Sequence, residues 1–145
     1  GGLRAVVCVG ESREIRDEGL DAAREFVGRQ LHASLSEIEN RESRIENLVV
    51  AYEPIWAIST SRSGADETPE DAAAMIGFIR EKLFDIDSRF RGNDRGSVQV
   101  LYGGSVNAEN AEGFLSCDEI DGVLVGGASL KVSEFGKIME IAGRF

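Results

Sequence analysis

Four short apolar runs punctuate the chain: Ala5 to Val9 (AVVCV), Leu48 to Tyr52 (LVVAY), Val98 to Tyr102 (VQVLY) and Val123 to Val125 (VLV), each closed by Gly, Glu or Pro. Near-continuous hydrophobicity, in place of alternation, is what strands covered on both faces display. The pattern predicts four strands of a parallel α/β sheet. Between the strands the apolar spacing lengthens to a helical one. Leu20, Ala23, Phe26, Val27, Leu31, Leu35 and Ile38 fall on one stripe and predict an amphipathic helix from Leu20 to Ile38. A second helix starts at Thr68-Pro69-Glu70-Asp71, with Thr68 as N-cap, Pro69 at the first helical position and acids in the first turn; Ile76, Ile79 and Leu83 share its apolar face. Shorter helices are predicted over Ala108 to Leu115 and Ser133 to Ala142. The charged, glycine-rich stretch Asp85 to Gly96 reads as a connector. The order is therefore βα repeated four times, and right-handed crossovers bring every βα loop to one end of the sheet.

The unusual residues gather at that end. Gly10-Glu11-Ser12 follows the first strand, Glu53-Pro54 the second, Gly103-Gly104-Ser105 the third and Gly126-Gly127-Ala128-Ser129 the fourth. Ligands of parallel α/β proteins bind at the carboxyl ends of strands. A Gly-Gly pair there is a plain turn or an anion cradle, since glycine allows a positive φ and a close backbone approach, and a following helix N-terminus favours negative charge. Two such pairs in consecutive units favour the cradle, which could hold a phosphate without lysines. Glu53 poses a separate question. A carboxylate that ends an apolar strand and is locked by Pro54 is paired, solvent-facing or chemically employed, because burying it alone costs several kcal/mol.

Composition narrows the classes. With 145 residues, 42% of them hydrophobic and 29% charged, the chain is expected to form one domain, residues 1–145, around one core. Its 26 acidic and 16 basic residues give a net charge of -10, which argues against nucleic-acid or anionic-membrane partners. No apolar run approaches the roughly 20 residues of a transmembrane helix, and no leader pattern opens the chain. A cytoplasmic location is the expectation. Cys8 and Cys117 lack metal-type spacing and His32 is the single histidine, so neither a disulfide framework, a metal site nor a cofactor is expected. His32, within the first amphipathic helix, reads as a surface or packing position, and Cys8, inside a strand, as a packing position.

The segments VVCVGES, AYEPIWAIST, TPEDA, LYGGSVN and DGVLVGGASLK, in this order, resemble the carboxyl-terminal half of the triosephosphate isomerase family over Gly2 to about Gly143. The resemblance implies the fold: units five to eight of a (β/α)8 TIM barrel, whose whole takes roughly 250 residues. It also implies an activity, the interconversion of dihydroxyacetone phosphate and glyceraldehyde 3-phosphate in glycolysis and gluconeogenesis. The family is itself the standard worked example of a Glu base acting with a neutral His. Glu53 matches that base, and Glu11 a supporting acid. Ser59, Ser105, Gly126 and Gly127 match phosphate-binding positions, while Tyr102 and Ser105 match those that latch a closing loop. Pro54 would stiffen the hinge and Trp56 supply apolar bulk or simple packing.

Departures from the family pattern are equally specific. The loop after the base reads Ala57-Ile58-Ser59-Thr60-Ser61-Arg62, with serine at both positions where the family uses glycine, and Ser63 to Glu67 lengthens it. Nothing aligns with the family's lysine or electrophilic histidine. Four units would also leave two open parallel edges and an uncovered inner face of the Val49, Ala51, Val100 and Val123 type. The expectation is one subunit of a split isomerase, a hetero-oligomer with an amino-terminal half-barrel polypeptide that supplies Lys and His to the triose phosphate site. A non-catalytic phosphate-binding or self-paired half-barrel is the alternative.

Overall fold

The computed structural model describes residues 4–36, 48–58, 67–86 and 98–145. Four parallel strands form one sheet in the order β1-β2-β3-β4. They are β1 (Ala5–Val9), β2 (Leu48–Tyr52), β3 (Gln99–Tyr102) and β4 (Gly122–Val123). Helices α1 (Arg13–Asp17), α2 (Leu20–Leu35), α3 (Pro69–Ile86), α4 (Ala111–Leu115) and α5 (Val132–Ala142) intervene. Among the described residues no helix is long and apolar enough to cross a membrane.

Register assigns each strand residue to a face. Val9 pairs with Tyr52, Val7 with Val50, Val50 with Val100 and Tyr102 with Val123. These residues pack with Ala23, Val27, Leu31 and Leu35 of α2 and with Met75, Ile76, Ile79 and Leu83 of α3 in a single core. The opposite face carries Val6, Cys8, Val49, Ala51 and Leu101. Val100 and Val123 thus belong to the helix side, correcting their expected place on the inner face; period-two alternation counted from Tyr102 puts them there. Val49 and Ala51 do lie on the inner face, yet the flanking strands bury both on this central strand. Exposure concentrates at the edge, where Val6 is 48% exposed.

Local chemistry accounts for the element ends. Thr68 caps α3 as predicted, its Oγ1 accepting from the Asp71 N–H at 3.1 Å. The stripe of α2 narrows to an i, i+4 series, and Leu20 is left exposed. The helix predicted from Ala108 begins at Ala111 because Asn107 and Asn110 divert the chain into a side-chain-bonded turn: Asn107 Oδ1 accepts from the N–H of Glu109 and Asn110, and Asn110 Oδ1 from that of Asn107. The fourth strand has two residues, Gly122–Val123, in place of Val123 to Val125. Asp121 substitutes for a longer ladder: its carboxylate accepts from the Val100 N–H at 2.7 Å and pairs with Arg80 of α3 at 2.5 Å. Helix α1 was not foreseen; it is a five-residue turn of helix whose role emerges at Arg16.

Candidate active site

Glu53 follows β2 on the inner face, the parity of Ala51. Its N–H donates to the Val9 carbonyl at 2.7 Å, and the Gly103 N–H donates to the Tyr52 carbonyl at 2.8 Å, so the sheet ladder continues up to the carboxylate's own residue. The side chain is half-buried. Two glycines make room for it. A Cβ at Gly10 would lie 1.9 Å from the Glu53 carbonyl oxygen, and one at Gly103 would lie 2.6 Å from Glu53 Cγ. After the strand on one side, Gly10 leaves no space for a side chain against the Glu53 backbone, and after the strand on the other a side chain at Gly103 would displace that of Glu53.

Cys8, on the neighbouring strand, donates to Glu53 Oε1 at 3.3 Å. Its thiol is pushed up to about 11 by the partial burial of its sulfur, then by the hydrogen bond and the charge of Glu53. This corrects the packing assignment of Cys8: the residue is exposed on the inner face and touches the carboxylate. His32 lies on the exposed face of α2, as expected.

Behind Glu53 the loop stem is tied down on the helix side. Glu11 is fully buried. Its carboxylate accepts from the Trp56 indole N–H at 2.9 Å and meets Tyr52 Oη at 3.2 Å from each oxygen, while its carbonyl accepts from the Ile55 N–H. Trp56 is thus more than apolar bulk; its ring packs under the guanidinium groups of Arg13 and Arg16, and its N–H holds an acid. Glu67, read from the sequence as loop, is 6% exposed and reaches Tyr52 Oη at 3.1 Å. The Gly10 N–H donates to Gln30 of α2 at 2.9 Å. Gln30 and Glu67 have no sequence signal beyond being polar residues beside apolar ones.

The glycine loops of the third and fourth units converge. Ser105, Gly126 and Gly127 line one cleft of about 540 Å³ together with Ile58, Gly103 and Lys131. Gly103 joins this cleft to Glu53. Ser105 donates its hydroxyl to the Ala57 carbonyl at 2.7 Å, and its N–H to the same oxygen at 3.1 Å. Gly126 does not have the positive φ expected of a cradle glycine; its φ is -85° and ψ -117°, and a Cβ there meets nothing within 4 Å. The position faces open space, which leaves room for a ligand. The sequence pattern assigns Lys131 no role, and the fold brings it to the cleft. Tyr102 is buried, with its ring stacked 4.0 Å from that of Phe114. Ser59 and the rest of the altered loop, Ser61 included, lie outside the described residues.

A parallel sheet with helices packed on one face, a carboxylate at a strand end and a glycine-lined cleft beside it are features of a portion of a parallel βα-barrel. The triosephosphate isomerase family model matches residues 1–142. The crystal structure of triosephosphate isomerase from Bartonella henselae is similar at 36% sequence identity with a TM-score of 0.74; the match covers 97% of this chain and 50% of that one. The chain belongs to the triosephosphate isomerase family, and it spans about half the length of the solved structure it matches.

Proposed function

We propose that the chain supplies the carboxyl-terminal half of a triosephosphate isomerase active site, interconverting dihydroxyacetone phosphate and glyceraldehyde 3-phosphate. Glu53 takes a proton from the carbon next to the substrate carbonyl and returns it to the adjacent carbon, through an enediolate. The observation that carries this reading is the junction at Gly103, where the Glu53 carboxylate and the cleft of Ser105, Gly126, Gly127 and Lys131 meet. A phosphate in that cleft would place a three-carbon substrate's far end over the carboxylate. Ser59 would add a backbone contact to the phosphate, Tyr102 and Ser105 would latch the loop, and Glu11 would hold Trp56 behind the base.

The site is incomplete without further residues. The three lysines of the chain are Lys82 on α3, Lys131 in the cleft and Lys137 on α5, and His32 is on α2. None stands on the inner face of the sheet opposite Glu53. Proton abstraction beside a carbonyl needs an electrophile for the developing oxyanion, typically worth about 3 to 4 kcal/mol. In the split form proposed here, a complementary amino-terminal half-barrel brings the lysine and histidine. Exposed apolar residues support a partner at both ends of the sheet: Val6 beside the first edge, and Leu130 and Val132, 87% and 90% exposed, in the last unit.

The test is reconstitution. The purified chain should show no isomerase turnover by itself and should gain it on mixing or co-refolding with the amino-terminal half of a family member. Turnover by the chain alone would overturn the assignment of the electrophile to another half.

A further inference from the structure

The cluster behind Glu53 contains more acceptors than one hydroxyl can serve. Tyr52 Oη lies within 3.2 Å of three carboxyl oxygens, two from Glu11 and one from Glu67. A phenol has one proton to donate. The fold surrounds Glu67 with Tyr52 of β2, Glu11 after β1, Arg16 of α1 and Asp71 of α3, and Trp56 contributes its N–H to Glu11. Arg16 is the cation that faces all three acids, 3.6 Å from Glu11, 3.9 Å from Glu67 and 4.0 Å from Asp71. Asp71 is exposed and screened by solvent, so inside the cluster this one guanidinium is shared by two buried carboxyl groups, Glu11 and Glu67.

The two buried acids are not equivalent. Glu11 accepts from the Trp56 indole and is nearer the guanidinium, as suits an anion. Glu67 has Tyr52 as its hydrogen-bond partner, and its buried Oε2 has none among the described residues. A bare carbonyl oxygen costs less to bury than half of a carboxylate.

We infer that Glu67 is held as the neutral acid, donating its proton to Tyr52 Oη while Tyr52 donates to Glu11, and that this relay makes Glu67 a positioning residue for Glu53. The relay joins the residue before the base to the far stem of the loop that follows it. Burial, the largest influence, pushes Glu67 up to about 8; Tyr52 and Arg16 pull it down, and Glu11 and Asp71 raise it. Ionisation would place a second buried negative charge against Glu11, and the stem would loosen at alkaline pH. The role as a positioning residue rests on the isomerase reading; the protonation state does not.

Trp56 is the single tryptophan of the chain and is held by Glu11, so its fluorescence reports on this cluster. The full chain should show a fluorescence transition with a midpoint near pH 8 and, at pH 7, an infrared carbonyl band of a neutral carboxylic acid. Glu67→Gln, whose amide can donate to Tyr52 as the acid does, should fold, lose both signals and keep its fluorescence constant. Tyr52→Phe removes one partner but leaves Glu67 buried and titratable, so it should shift the midpoint of the transition while lowering stability. In the reconstituted enzyme, wild type should lose kcat above pH 8 with KM little changed, whereas Glu67→Gln should retain wild-type kcat at pH 7 and lose that alkaline limb. An unaltered transition or acid band in Glu67→Gln would overturn the protonation state. An alkaline limb that persists in Glu67→Gln would overturn the positioning role, and a reconstituted enzyme without turnover would instead count against the isomerase reading.

Discussion

Gly103→Ala isolates the position of the base from its chemistry. The added methyl would sit 2.6 Å from Glu53 Cγ, 3.2 Å from Oε1 and 3.3 Å from Cδ. Carbon atoms rest at about 3.5 to 4.0 Å, so the side chain must retreat by about 1 Å. It cannot be relieved by sliding the backbone toward β1, because the Glu53 carbonyl already fills the place of a Cβ at Gly10. Rotation of the carboxylate is the remaining escape, and it breaks the contact with Cys8. A displacement of that size costs about 10²-fold in turnover, or about 2.7 kcal/mol in the barrier. The assay is kcat of the reconstituted enzyme, with circular dichroism and thermal melting to verify the fold. Thiol labelling of the chain alone, in a Cys117→Ser background, gives a second reading: Cys8 should react faster once the carboxylate has swung away. Turnover within about three-fold of wild type, with Cys8 labelling unchanged, would refute the claim that this glycine sets the base.

Glu53→Gln in the reconstituted enzyme should lower kcat by about 10³-fold while assembly and phosphate-analogue binding persist, since a general base contributes about 10² to 10⁴; stopped assays and calorimetry check the two halves of that statement. In the chain alone the same substitution removes the charge that helps raise Cys8 and leaves only an amide oxygen to accept from its thiol, so its labelling rate at pH 8 should rise. Thr68→Ala deletes the α3 cap and should cost about 1 kcal/mol in urea unfolding. Gly136→Ala, in α5 with nothing within 4 Å of the new methyl, should stabilise by about 0.5 to 1 kcal/mol in the same experiment.

The strands and α3 were legible because their signals are local. Leu48 to Tyr52 is apolar at every position, and Thr68-Pro69 fixes a helix start by capping and by the ring's φ. The inner and outer faces were not legible to the same degree. Val100 looks like Val49 in sequence, and register against Tyr52 and Tyr102 separates them. Among the candidate site residues, the motif carried Glu53 and the glycine pairs, because the role proposed for each depends on a residue type at a strand end. Glu67 escaped notice because its burial depends on Tyr52 and Arg16, residues 15 and 51 positions away in the chain. Gln30, which meets the Gly10 N–H, and Lys131, which reaches the cleft, are likewise placed by the fold and not by a local signal.

The two-residue strand β4 has a consequence for how the molecule opens. Its ladder to β3 is short, and the Asp121 clip to Val100 and Arg80 carries what longer strands carry by repetition. Amide protons of α5 and of the 3-10 turn Gly127–Leu130 should therefore exchange through a separate, lower-energy opening than those of β2, which is buried along its whole length. A partner docked on this edge, as proposed for the split form, would close that opening, and its affinity would carry the free energy of local order as well as of contact. The final unit, with the glycines of its cleft, would then be the part of the chain whose amides slow most when the barrel is completed.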